Sequence, residues 1–181
     1  MLRNTLLAVL LLCYPVLAYF GLQHWSPRTM ALVLLALALL RACAGRRQGW
    51  WPMAAAAALP ALAGLVSDRA LPLKLYPVMV NLVMLAVFGW SLLGRQSLVE
   101  RMARLREPDL PPAGVRYTRR VTQAWCLFFV VNGTLAALTA CFASDRVWAL
   151  YNGGIAYVLI GAMFCGEWLL RRRVMARSDH A

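Results

Sequence analysis

Six long apolar runs, divided by short segments rich in arginine, limit what this chain can fold into more than any other feature. They cover about residues 5–23, 29–44, 50–66, 75–93, 122–143 and 147–170. Each holds roughly 16 to 24 residues, and at ~1.5 Å per residue a helix of that length matches a hydrocarbon core roughly 30 Å thick. Backbone amides inside hydrocarbon have no water to bond, so a spanning segment must satisfy them within itself, as a helix does. The expected fold is therefore all-α. It is a polytopic membrane protein with six transmembrane helices, a short cytoplasmic amphipathic helix between the fourth and fifth, and a single integral membrane domain over residues 1–181. Composition agrees: 62% of residues are hydrophobic and 14% charged, against about 25% charged in soluble domains.

The net charge of +12 does not describe a nucleic-acid-binding face, because the cations cap apolar runs and do not gather on one surface. They set orientation instead. With six spans both termini share a side, and that side receives fifteen of the nineteen cations; Arg28, Arg69, Lys74 and Arg146 fall on the other. The positive-inside rule then places both termini and the long loop 94–121 in the cytoplasm of a bacterium, with the chain in the inner membrane. The apolar run beyond Val16-Leu17-Ala18 continues through Leu22, which predicts an uncleaved first helix with a kink at Pro15. Ala57 and Ala61 give the third span a small-residue face for close packing. All seven tryptophans fall near predicted helix ends, the pattern of an interfacial aromatic belt.

Chemistry inside a membrane normally announces itself through ionisable residues within spans. Of the seven acids, six lie in loops or the tail; Glu167 stands four residues before Arg171, the spacing of an i,i+4 pair. No His, Ser or Cys set provides a nucleophile and base, and none has metal spacing. Cys13, Cys43, Cys126, Cys141 and Cys165 read as small apolar packing residues. Hence no catalytic residue, metal ligand or cofactor is assigned, and the chain is read as a non-enzyme. The polar residues within spans are neutral. They are Asn81, Asn132, Asn152, Thr134 and Thr139, and the three asparagines are the candidate intramembrane polar contacts. They serve either as interhelical hydrogen bonds or as the lining of a small polar cavity for a lipid head or polyene chain. The tripeptide Tyr14-Pro15-Val16 recurs as Tyr76-Pro77-Val78 at a different depth in its span and reads as coincidence.

The loop 94–121 has order of its own. Ser97-Leu98-Val99-Glu100 is a capping-box pattern. Leu98, Met102 and Leu105 follow on one face, with Arg101, Arg104 and Arg106 elsewhere, as expected of a helix lying on an anionic leaflet. Pro108 ends the run, Pro111-Pro112 stiffens the approach to the fifth span, and Arg119-Arg120 stands just before it. Arg101, Arg104, Arg106, Arg119 and Arg120 are the candidate lipid or partner contacts.

The segments Leu98-Val99-Glu100-Arg101-Met102 and Ala124-Trp125-Cys126-Leu127-Phe128-Phe129, followed by Gly133, a minimal hairpin and Trp148, resemble the bacterial septation protein A family of inner-membrane-spanning proteins. That resemblance implies work in cell-envelope maintenance and division through protein partners. Glu107-Pro108-Asp109-Leu110-Pro111-Pro112, Arg116-Tyr117-Thr118-Arg119-Arg120-Val121 and Glu167-Trp168-Leu169 are similar to small membrane proteins often encoded beside aryl-polyene or fatty-acid-synthase-like genes. This second resemblance implies a place near lipid or polyene synthesis. The functional expectation is a non-enzymatic scaffold or accessory of the cell envelope; the alternative is a membrane component assisting synthesis or transfer of aryl-polyene or acyl products. Expected partners are anionic phospholipid, envelope or lipid-synthesis proteins and a second copy of the chain, with no nucleic acid.

Overall fold

The computed structural model describes residues 14–44, 51–67, 69–105 and 107–178. The first part of the first expected span, the turn with Arg46 and Arg47, Trp50, Arg106 and the last three residues lie outside them. Helix α1 is described over Tyr14–His24, α2 over Pro27–Ala44, α3 over Trp51–Ser67, α4 over Leu71–Lys74 and α5 over Tyr76–Leu93. Then come α6 at Leu98–Arg104, α7 at Pro112–Phe142, α8 at Asp145–Leu150, a π-helical turn at Tyr151–Ile155 and α9 at Ala156–Ser178. Among the described residues there is no strand.

Among the described residues, three helical stretches are long and apolar enough to cross a membrane: Tyr76–Leu93, Pro112–Phe142 and Asp145–Leu170. The apolar stretches of α2 and α3, Pro27–Leu40 and Ala55–Ser67, are shorter. Large side chains such as Leu82, Leu127, Val158, Phe164 and Leu170 stand on the outer surface. That surface would be adhesive in water and is the natural lipid face of a membrane protein.

The boundaries differ from expectation in three places. The fifth helix begins at Pro112, ten residues before Thr122. Proline lacks an N–H that the first turn would leave unpaired anyway and has φ preset for the helix. So Pro111-Pro112 starts a helix where a stiff link was expected, and Arg116, Arg119 and Arg120 ride on its first turns. The polar link before the fourth span contains the single turn α4, again with proline near its start. The sixth expected helix is interrupted by the π turn, which holds Asn152, Gly153 and Gly154.

Packing is densest in two antiparallel pairs, α2 with α3 and α5 with α7. In the first, Ala31, Leu34 and Ala38 meet Ala57 and Ala61, all fully or almost fully buried, so the alanine face of α3 is the face that packs. Tyr14 and Tyr76, the leading residues of the recurrent tripeptide, touch edge-on with ring centroids 5.0 Å apart. In the second, Phe88, Trp125 and Phe129 form an aromatic cluster, with Phe88 and Phe129 at 5.2 Å, and Phe164 of α9 reaches Trp125 at 4.8 Å. Two tryptophans therefore leave the expected belt. Trp125 and Trp148 are core residues, while Trp25, Trp90 and Trp168 are exposed. Nearness to a helix end in sequence does not separate a lipid-facing ring from one turned toward a neighbouring helix.

Both ends of this assembly are tied by polar contacts. At one, Lys74 forms an ion pair with Asp145, and Trp148 Nε1 donates to the Lys74 carbonyl at 3.1 Å. At the other, the Tyr117 hydroxyl donates to the Glu167 carbonyl at 2.9 Å, joining the start of α7 to the far end of α9.

Between the ties, α5 and α7 approach each other closely at Gly133. A Cβ built there would lie 3.0 Å from the Cβ of Asn81. Gly133→Ala is therefore expected to push α5 and α7 apart by a few tenths of an ångström and to cost about 1 kcal/mol by overpacking. A lowered unfolding midpoint in detergent checks this, and an unchanged midpoint counts against the close approach.

Candidate functional site

The candidate intramembrane polar residues do not act as one group. Asn132, on the inner face of α7, donates from Nδ2 to Asn81 Oδ1 at 3.0 Å. Asn81, on α5, donates in turn to the Pro77 carbonyl at 2.8 Å. The Tyr151 hydroxyl completes the chain by donating to Asn132 Oδ1 at 2.8 Å. All three side chains are buried. The result is a directed run of three hydrogen bonds that crosses from the π turn through α7 to α5. Asn132 lies ten residues before the end of α7, or about 15 Å along it, half of a hydrocarbon core roughly 30 Å thick.

Asn152 belongs elsewhere. Its Nδ2 donates to Thr139 Oγ1 at 3.1 Å and to the Trp148 carbonyl at 2.9 Å, which uses both of its N–H groups. It fastens the π turn to α7 as an interhelical bond. Thr134 bonds back to its own helix, donating to the Val130 carbonyl 2.8 Å away.

Tyr151 was not among the candidates from sequence. The available signal was that a tyrosine inside an apolar span, when buried, needs a partner for its hydroxyl. The π geometry was the harder part, since one wide turn changes which helix face Tyr151 and Asn152 occupy. Such turns recur at functional sites.

Beside this network, α7 and α9 leave a groove of about 330 Å³. Its walls include Phe128, Leu135, Leu159 and Ala162, and Asn132 and Tyr151 supply its polar lining. The groove exists because α9 packs little against α7 once past the π turn.

The arginines named from sequence sit at the end of the assembly that carries α6. Ser97 Oγ accepts from Glu100 N at 3.3 Å, the N-cap half of the expected capping box. Glu100 is only 3% exposed. It holds Arg104, whose Nε donates to Glu100 Oε1 at 3.0 Å and whose Nη1 donates to the Pro108 carbonyl at 2.8 Å. Arg104 is thus a brace within the loop. Arg119 Nη2 donates to the Leu92 carbonyl at 2.9 Å, and Arg101 Nε donates to the Gln96 carbonyl at 3.3 Å. These two guanidinium groups flank the 94–96 bend. Arg95 and Arg120 are exposed. Among the described residues, none of Arg95, Arg101, Arg119 or Arg120 forms an ion pair. Arg106 lies outside the described residues.

No three His, Cys, Asp or Glu side chains come together as metal ligands among the described residues. A comparison with protein-family models, one with curated protein sequences and one with solved structures each find no match to this chain.

Proposed function

We propose that this chain is a six-span, non-enzymatic protein of the bacterial inner membrane, with both termini in the cytoplasm. It serves as a scaffold or accessory of the cell envelope through a cationic corner that engages anionic phospholipid and protein partners. The cation asymmetry, fifteen on one side of six spans, supports this orientation. It puts α6 and the start of α7 at the cytoplasmic surface. The envelope role itself rests on the family resemblance of the segments around Glu100, Trp125 and Trp148.

The observation that carries the proposal is the chemistry of that corner. Met102 and Leu105 are 62% and 86% exposed, although hydrophobic, and they share this end of the protein with Arg101, Arg119 and Arg120, which have no acidic partner among the described residues. An apolar tip flanked by cations that bond only to carbonyls or to none suits an acyl–headgroup boundary, where the side chains enter the membrane and the guanidinium groups meet phosphate. The brace of Glu100 and Arg104 keeps α6 folded without neutralising those cations.

The test is Arg101→Ala, Arg119→Ala and Arg120→Ala combined, in the full chain. Arg104 is left in place because it maintains the loop. Retention of phosphatidylglycerol, measured by native mass spectrometry, is expected to fall roughly a hundredfold, at about 1 kcal/mol per arginine near the surface. Neutral phosphatidylcholine retention is expected to stay constant. Equal retention of the anionic lipid by the variant and the parent sinks the proposal.

A further inference from the structure

We propose that the groove between α7 and α9 is a binding site for one uncharged single-chain lipid alcohol, whose hydroxyl sits against Asn132 and Tyr151. This goes beyond the role assigned to the cytoplasmic corner and uses none of its residues.

The argument begins with the hydrogen-bond inventory. Asn132 has two N–H groups, and one is given to Asn81 Oδ1. Tyr151 gives its only proton to Asn132 Oδ1, so its oxygen retains acceptor capacity. The groove-lining residues Asn132 and Tyr151 therefore keep one unspent donor, the second N–H of Asn132, and acceptor capacity on the Tyr151 oxygen. A hydroxyl is itself one donor and an acceptor, and it matches both. A ketone or ester uses only the donor, and an alkane uses neither. Asn152 provides the contrast within the same turn. Both of its N–H groups are spent on protein oxygens, and it does not line the groove.

Depth and size narrow the ligand further. The polar lining is about 15 Å along α7 from its end, at ~1.5 Å per residue, where a charged headgroup is costly. No charged residue lines the groove. A volume of about 330 Å³ is near the lower end of small-molecule sites, roughly 300–1,000 Å³, and suits a single chain. Phe128, Leu135, Leu159 and Met163 supply the apolar contact along it.

The experiment uses the full chain in phosphatidylcholine nanodiscs with two diazirine photoprobes of equal length, a long-chain alcohol and the corresponding alkane. Labelled residues are mapped by mass spectrometry. The alcohol is expected to label residues 128–135 and 159–163 about fivefold more than the alkane does, the preference one net hydrogen bond confers. Labelling at Leu82 and Val158, which face outward elsewhere, gives the background of ordinary boundary lipid. The double variant Asn132→Leu with Tyr151→Phe, which removes both polar groups from the lining, is expected to erase the alcohol preference while leaving alkane labelling unchanged. Ala162→Trp fills the groove from its exposed side without touching the network, and is expected to reduce groove labelling by both probes to background. Equal labelling by the two probes overturns the proposal. So does groove labelling no higher than at Leu82 and Val158, or an Ala162→Trp variant that labels like the parent.

Discussion

Trp148→Ala is expected to remove about 3 kcal/mol of unfolding free energy, the lower part of the range for deleting a fully buried indole. Trp148 is completely inaccessible and packs in the cluster that joins Tyr14, Met30, Leu73 and Tyr76. In a bilayer, lipid tails are as apolar as the core, so little transfer free energy is lost. The cost comes instead from the void and the dispersion contacts that no neighbour can replace. The indole also donates to the Lys74 carbonyl, and alanine leaves that acceptor without its partner. Trp148→Phe separates the two effects. It keeps most of the ring and loses the N–H, and it is expected to cost about 1 kcal/mol. Denaturant-induced unfolding in detergent, followed by circular dichroism, reads both. If alanine and phenylalanine cost the same, the packing argument is wrong and the hydrogen bond carries the effect.

Asn132→Leu is the next largest, at about 2 kcal/mol. Leucine is close in size, so the loss is polar. Removing the central amide leaves the Tyr151 O–H without an acceptor and Asn81 Oδ1 without a donor, both buried. An orphaned buried group costs about 1–3 kcal/mol, with membrane values toward the low end. Combining Asn132→Leu with Tyr151→Phe decides whether the network is real. The tyrosine variant removes the orphaned hydroxyl, so the double variant is expected to be about 1 kcal/mol more stable than the sum of the two losses. Strict additivity means the two side chains do not interact.

The sequence made the helices legible because each apolar run is long and ends in polar residues. It also flagged Asn81 and Asn132, since an amide inside hydrocarbon needs a partner, and these two bond to each other. What it left unreadable has a common physical origin. In water, the polar face of a helix shows which side is outward. In lipid, both sides are apolar, so periodicity does not separate Trp125, packed on Phe129, from Trp90, exposed. Arg116, Arg119 and Arg120 read as loop in the sequence because polarity marks the end of an apolar span. Arginine is a good helix former, and α7 continues out through them to Pro112. The π turn has no composition signal beyond Gly153-Gly154, yet it places Tyr151 against Asn132. Glu100 pairs with Arg104 at the i,i+4 spacing, but its burial could not be read from the short loop sequence.

Lys74 is held twice by α8, its amine by Asp145 and its carbonyl by Trp148. The ion-pair partners are 71 residues apart, and this has a consequence for biosynthesis. At ~5–20 residues per second, the ribosome needs roughly 4 to 14 s to reach Asp145 after Lys74 is made. Over that interval α5 to α7 are made while the lysine lacks its final counter-ion. The amine must stay hydrated until the α7–α8 hairpin brings Asp145 to it. Closing this end of the protein is therefore a late event in its assembly, set by translation time more than by helix formation.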